Sequence, residues 1–451
     1  MHEDEILNIL VDWNTWGNFK EELIPRQTYF EKIHPLISRK TALTLYGIRR
    51  SGKSSLAYLY IDGLYKQNKI GVNDSLFLNF EDPRFSNTGM DDLFKILETY
   101  VKNLNPKDPI IILDEVQNVE GWENFVRYLL EAKKLRVFVT GSSSKLLGRE
   151  ISTSLSGRHI SIEIFPLSFR EFLFFKGLEI KDQLDLVRNK IEILRFLEEY
   201  ALYGGFPEVV CSQSIQRKNQ LLDMYYEDIM IKDIARRFKI KEIDKLENLA
   251  FQLVSNISTL QSFNRLKRKL NLSLDSVQRF SKYFEIARMF IFLKKFSFSS
   301  AEQIRSMRKV YIFDLGFYSI KGFKFIPNKS KIYENLTAIE LNRRAQFNKN
   351  IQVYYWQNPQ NYEVDFVVKE GLRIKQLIQV CWNLSDEDAK KREIRALLHA
   401  SKELGCDNLL IISEDIDGEE ESQWYDMRKP IKYKTLWKWL LENENMPGSV
   451  T

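Results

Sequence analysis

Apolar residues in the first third of the chain fall in short runs, at residues 42–46, 76–80, 110–113 and 137–139, interrupted only by Thr44 and Asn79. Near-continuous runs of this length predict parallel strands buried on both faces. Between them, residues 90–104 place Leu93, Leu97 and Val101 near one helical face, and residues 122–133 form a second helical stretch. The alternation predicts an α/β domain over 1–165, with helices covering a parallel sheet.

Helical patterns dominate the middle of the chain, taken as 166–325. The cluster Gly204-Gly205-Phe206-Pro207-Glu208 punctuates it as a turn. A helix is expected from about 221 to 240. Residues 260–270 and 274–287 then read as two helices joined by Asn271-Leu272-Ser273. Val277, Phe280, Phe284 and Ala287 share one face of the second, and 290–296 suits a following strand. Two helices and a hairpin at this spacing describe a winged helix-turn-helix. The last segment, 326–451, predicts helix, three strands, helix and strand, at 333–344, 351–356, 362–368, 375–382, 391–404 and 408–412.

Chemistry enters at the end of the first run. Gly47-Ile48-Arg49-Arg50-Ser51-Gly52-Lys53-Ser54, followed by Ser55, is a complete G-x-x-x-x-G-K-[ST] loop between a strand and a helix. Its glycines let backbone N–H groups face a phosphate, Lys53 reaches the β- and γ-phosphates, and the Ser54 hydroxyl suits Mg²⁺. The third strand delivers Asp114 and Glu115 at its end, the former for Mg²⁺ and the latter to polarise an attacking water. The chain is therefore expected to bind a nucleoside triphosphate and, with these carboxylates, to hydrolyse it. Thr140 and Ser142 end the fourth strand and are either γ-phosphate sensors or helix caps. Arg158 is either a finger for transition-state charge, in its own subunit or a neighbour, or a surface ion pair. Arg49 and Arg50 touch phosphate or point outward.

Composition narrows the setting. The chain has 44% hydrophobic and 28% charged residues, and its three cysteines form no C-x-x-C pair. No secretory leader or spanning segment is visible, so a cytoplasmic protein without membrane contact is expected. The net charge of +6 is concentrated: residues 263–296 hold nine Lys or Arg against two acids. Arg265, Lys267, Arg268, Lys269, Arg279 and Lys282 are the candidate DNA contacts within it. The competing use is a winged helix that only packs.

The loop, Leu113-Asp114-Glu115-Val116-Gln117, Thr140-Gly141-Ser142-Ser143-Ser144, Ser154-Leu155-Ser156-Gly157-Arg158, Phe165-Pro166-Leu167-Ser168-Phe169-Arg170-Glu171-Phe172 and Asp12-Trp13-Asn14-Thr15-Trp16 together resemble the archaeal-type P-loop ATPases of the AAA/STAND-related group. The resemblance implies ATP and Mg²⁺ as cofactors, DNA as a partner, and possible homo-oligomers. It further implies a restriction-endonuclease-like C-terminal domain, with Glu334, Asp365 and position 379 as its metal site. Gln379 and Cys381 stand where that motif has E-x-K, and an amide is a poor Mg²⁺ ligand. Glu363, and Lys390 or Lys391, are the available substitutes. A degraded nuclease core is expected. The readings left open are an ATPase coupled to DNA, a STAND-like switch acting on proteins, and an ATP-dependent nuclease.

Overall fold

The computed structural model describes residues 1–14, 16, 23–86, 88–142, 155, 157–322, 328–425 and 427–442. It divides into two compact units, Met1–Phe165 and Pro166–Thr451. The boundary expected at 325 lies outside the described residues, and the segments on either side of it belong to one unit.

In the first unit β1 (Ala42–Gly47), β2 (Ser75–Asn79), β3 (Ile110–Asp114), β4 (Arg136–Ser142) and β5 (His159–Glu163) form one sheet in the order β2-β3-β4-β1-β5. Every neighbouring pair is parallel. Strand β4 thus lies between the loop strand β1 and the acid-bearing β3. Ile111, Leu113, Val137 and Val139 point to a core shared with Ile6, Ile9, Leu93, Ile96, Phe125 and Leu129 of three covering helices. The helix Met90–Leu104 starts with Asp91 and Asp92 in its first turn and stops at Asn105, which is left-handed at φ +45°.

The tryptophan-containing segment seals an edge. Asn14 accepts from the Phe77 N–H at 2.6 Å and donates to the Phe77 carbonyl at 3.0 Å, imitating a neighbouring strand along β2. Trp13 Nε1 donates to Asp82 at 2.7 Å and Trp16 Nε1 to the Ser75 carbonyl at 3.2 Å.

The second unit opens with helices, including Lys190–Tyr203 and Ile215–Asp228, the latter running into an eight-residue π-helix, Ile229–Arg236. Helix Ile243–Ser255, β6 (Thr259–Gln261), helices Phe263–Leu270 and Leu274–Ile286, β7 (Phe290–Leu293) and β8 (Arg308–Ile312) follow. The three strands pair antiparallel in the order β6-β8-β7. Ser262 and Ser273 cap the two short helices through the N–H groups of Arg265 and Ser276.

Helix Lys329–Phe347 leads into a six-stranded mixed sheet of β9 (Ile351–Gln357), β10 (Glu363–Glu370), β11 (Arg373–Val380), β12 (Leu409–Ser413), β13 (Gly418–Trp424) and β14 (Met427–Thr435). Its order is β13-β14-β12-β11-β10-β9. Helix Glu387–Leu404 packs Ala396, Leu397 and Ala400 against it. The segment after β7 is joined to the edge strand β9: Phe296 N donates to the Tyr355 carbonyl at 2.6 Å, and Tyr355 N to the Lys294 carbonyl at 3.0 Å. The opposite edge, β13, presents exposed Glu419, Glu420 and Glu421.

Two buried glycines make close approaches. An added Cβ on Gly204, at φ +73°, would lie 1.7 Å from the Asp314 carboxylate. That carboxylate accepts from the N–H groups of Gly205 and Gly316 at 2.8 and 2.9 Å. One on Gly47 would lie 2.2 Å from the Ile164 carbonyl. Among the described residues, no helix is long and apolar enough to cross a membrane.

Candidate functional site

Gly52, left-handed at φ +89°, turns the chain from β1 into the helix Lys53–Lys66 and leaves that helix's first N–H groups aimed across the loop. Lys53 is buried, with Nζ 3.3 Å from the Ile48 carbonyl, 3.5 Å from that of Gly47 and 3.8 Å from Glu115 Oε1. The Ser54 hydroxyl donates to Asp114 Oδ1 at 2.8 Å. Loop and β3 carboxylates therefore meet at the C-terminal edge of the sheet, where open α/β sheets bind ligands.

Burial, followed by the negative charge of Glu115, pushes the Asp114 carboxyl up to about 6. Thr140 ties the two acids together: its hydroxyl donates to Asp114 Oδ1 and accepts from the Glu115 N–H at 3.3 Å. Glu115 itself is left-handed at φ +50°, and the Gln117 amide donates to its Oε2. Ile48 and Ser51 are buried in the loop; Ser55 follows within the helix. Arg49 reaches Glu81 at 2.7 Å, and Arg50 is exposed and left-handed at φ +67°. Ser142 pairs through its backbone with Gly47 in the β1–β4 register; its side chain lies outside the described residues.

Arg158 stands apart. It immediately precedes β5, whose residue His159 is level with Ala42, the first residue of β1. The loop begins at the other end of β1, five residues on, or about 16 Å of strand. Its half-exposed guanidinium pairs with Glu131. A finger acting on the loop of the same chain does not fit this placement, which is that of a surface ion pair.

Arg26 belongs to the site without any motif marking it. Its buried guanidinium donates to the carbonyls of Ser51 and Phe165, both at 3.0 Å, and lies 4.6 Å from the Tyr29 ring centroid. Tyr29 in turn accepts from the Phe165 N–H at 3.1 Å.

In the second unit, Arg265, Lys267, Arg268 and Lys269 are exposed and make no ion pair among the described residues. Arg279 and Lys282 each pair within their own helix, with Asp275 at 3.6 Å and Glu285 at 2.7 Å. Glu334 and Asp365 do converge, but around a cation from elsewhere. Lys309 of β8 is buried with Nζ 2.9 Å from Glu334, 2.6 Å from Glu363 and 2.6 Å from Asp365. Burial alone would pull the ammonium's pKa down; Asp365, Glu334 and Glu363 outweigh it and hold the proton on. One ammonium cannot neutralise three carboxylates, and burial with the neighbouring Asp365 pushes Glu334 up to about 8. Tyr311 donates to Glu334 at 2.7 Å.

Gln379 turns away from this cluster. Its carbonyl accepts from the Asp365 N–H at 3.1 Å and its amide donates to the buried Glu393. The helix lysines do not enter either: Lys390 pairs with Glu420 at 3.0 Å and Lys391 with Glu387 at 3.8 Å.

Comparison with known proteins follows this geometry. Residues 39–173 match the AAA-domain family model, and residues 194–322 match a domain family of unknown function. The uncharacterized protein MJ1544 of Methanocaldococcus jannaschii is 35% identical over 404 residues, covering 88% of this chain and 87% of its own. An uncharacterized Haemophilus influenzae protein is 29% identical over 329 residues, 72% of this chain and 80% of its own. Among solved structures, the Walker-type ATPase PABY2304 of Pyrococcus abyssi aligns with TM-score 0.42 and 15% identity, over 67% of this chain and 96% of that one.

Proposed function

This chain belongs to one family with the uncharacterized protein MJ1544, and its residues 39–173 match the AAA-domain model; on that footing we propose that it hydrolyses ATP at Gly47–Ser54 and couples the cycle to DNA. The observation that carries the catalytic half is the convergence of Lys53, Ser54, Asp114, Glu115 and Thr140 at one sheet edge. The oxygens of Ser54 and Asp114, 2.8 Å apart, are a hard donor set fitting Mg²⁺. Bound there with ATP, the ion would supply neutralisation of phosphate charge.

The chain's own residues do the rest. Loop N–H groups and the Lys53 ammonium bind the phosphates. Glu115, held by the Gln117 amide and by Thr140 through its backbone, orients the attacking water and takes its proton. Thr140 fixes both acids and senses the γ-phosphate. Arg158, remote from its own loop, is left to serve a neighbouring copy.

The DNA half rests on the capped helix–turn–helix followed by a hairpin, with four cations on its first helix that make no ion pair among the described residues. That arrangement supports a winged-helix reading. The six-stranded domain supports an endonuclease-like fold whose carboxylates are occupied by Lys309 and closed to a scissile phosphate. A regulatory switch acting on proteins is the second reading. It is favoured by the internal pairing of Arg279 and Lys282 and by the hairpin segment's attachment to β9.

ATP turnover measured with and without duplex DNA tests these readings. Stimulation that disappears in Lys53→Ala and Glu115→Gln supports coupling; turnover indifferent to DNA refutes it and leaves the switch. Mg²⁺-dependent nicking abolished by Asp365→Ala would refute the closed nuclease site.

A further inference from the structure

The basic residues assigned so far all lie on the two short helices. A second concentration precedes them: Arg236-Arg237-Phe238-Lys239-Ile240-Lys241, four cations in six residues with no acid. Arg236, Lys239 and Lys241 are exposed and make no ion pair among the described residues. The exposed cations on either side of the run do find partners, Lys232 with Asp228 at 2.8 Å and Lys245 with Glu242. Unopposed like charges held this close repel one another, and the arrangement is complementary to a polyanion.

The run is not a loose linker. It leaves the π-helix Ile229–Arg236, a geometry that is rare at this length and is associated with functional sites. Phe238 then lies flat on Tyr283, with centroids 3.7 Å apart and planes at 7°. Arg237 covers the Phe238 ring at 5.0 Å. Tyr283 is one turn beyond Arg279 on helix Leu274–Ile286 and next to Lys282. The stack therefore fixes the run beside the C-terminal part of the second helix, while the first helix, with Arg265 to Lys269, packs against the same helix. Cations flank the second helix from two elements distant in sequence.

We infer that Arg236, Lys239 and Lys241 form a second phosphate-contacting strip, held against helix Leu274–Ile286 by the Phe238–Tyr283 stack, for the backbone of a nucleic-acid duplex. This rests on the DNA-coupled reading and extends it. The strip carries cations without base-reading geometry, so it adds affinity and salt dependence uniformly across sequences. It also supplies phosphate contacts that the internally paired Arg279 and Lys282 do not offer.

The test uses the full chain and a labelled mixed-sequence DNA duplex, with affinity measured by anisotropy across a salt series. In Arg236→Ala/Lys239→Ala/Lys241→Ala, the slope of log affinity against log salt should shrink by about 2 to 3. Basal ATP turnover without DNA should match the native protein. Phe238→Ala, which removes no charge, should weaken binding by misplacing the strip. Native binding with an unchanged slope in the triple variant overturns the strip and leaves DNA coupling standing. Failure of the native protein to bind any duplex overturns both.

Discussion

The guanidinium of Arg26 donates to the carbonyl of Ser51 at 3.0 Å, so a residue upstream of β1 braces the phosphate loop. A second bond from the same nitrogen holds Phe165 at the end of the first unit. The loop's conformation is thus set partly by a residue outside the phosphate-loop motif.

Replacing Arg26 should show this. Arg26→Ala leaves buried carbonyls without a donor, at a cost of about 1–3 kcal/mol each, and lets the loop relax. ATP kcat/KM should fall by about tenfold or more, with nucleotide affinity lost along with rate. Arg26→Lys should recover only part, since the lysine nitrogen sits one atom nearer the backbone than the nitrogen that bonds both carbonyls, and the planar guanidinium over the Tyr29 ring is lost. Steady-state kinetics of the three proteins decides it; native kinetics in Arg26→Ala would refute the bracing role.

Lys309 gives a stability prediction. Lys309→Met abandons Glu334, Glu363 and Asp365 to one another in a buried site. Breaking a buried ionic cluster from one side costs about 3–5 kcal/mol. The denaturant midpoint of the second unit should drop accordingly, and Lys309→Met/Asp365→Asn should recover part of the loss. ATP-binding affinity of the first unit is the control.

Much of this was legible from the sequence, for reasons of locality. The phosphate loop is eight contiguous residues, and Asp114-Glu115 sits at the end of an apolar strand. Lys309 was invisible because its partners at 334, 363 and 365 come together only through tertiary contact between β8, a helix and β10. β13 was missed because Glu419-Glu420-Glu421 hides an edge strand under charge. β5 was missed too, and with it the fact that Arg158 enters that strand level with the start of β1, away from the loop.

A pH prediction follows from Glu334. Its folded pKa, about 8, lies above the ordinary carboxyl value of 4.5. Between those values the folded chain binds a proton that the unfolded chain has released, so stability is greatest near the lower end and declines as pH rises toward 8. Urea midpoints of the second unit should fall over that window, and Glu334→Gln should flatten the decline. An equal slope in the variant would reassign the proton.

Gly204→Ala tests the buried turn. Its Cβ would lie 1.7 Å from an Asp314 carboxylate pinned by two N–H groups, at a left-handed φ. A loss of about 2 kcal/mol or more is expected, measured by thermal unfolding. Gly177→Ala is a control for backbone strain, since its φ is +84° and its added Cβ meets nothing within 4 Å.

The attachment of Lys294–Phe296 to Tyr355 has one more consequence. A six-stranded sheet with a bare border would template addition of a strand from another molecule. Here one border is occupied by the chain itself, and the other repels approach with Glu419 to Glu421. Extension of the second unit's sheet by another copy is thus disfavoured at both borders, and loosening the hairpin segment should show first as aggregation.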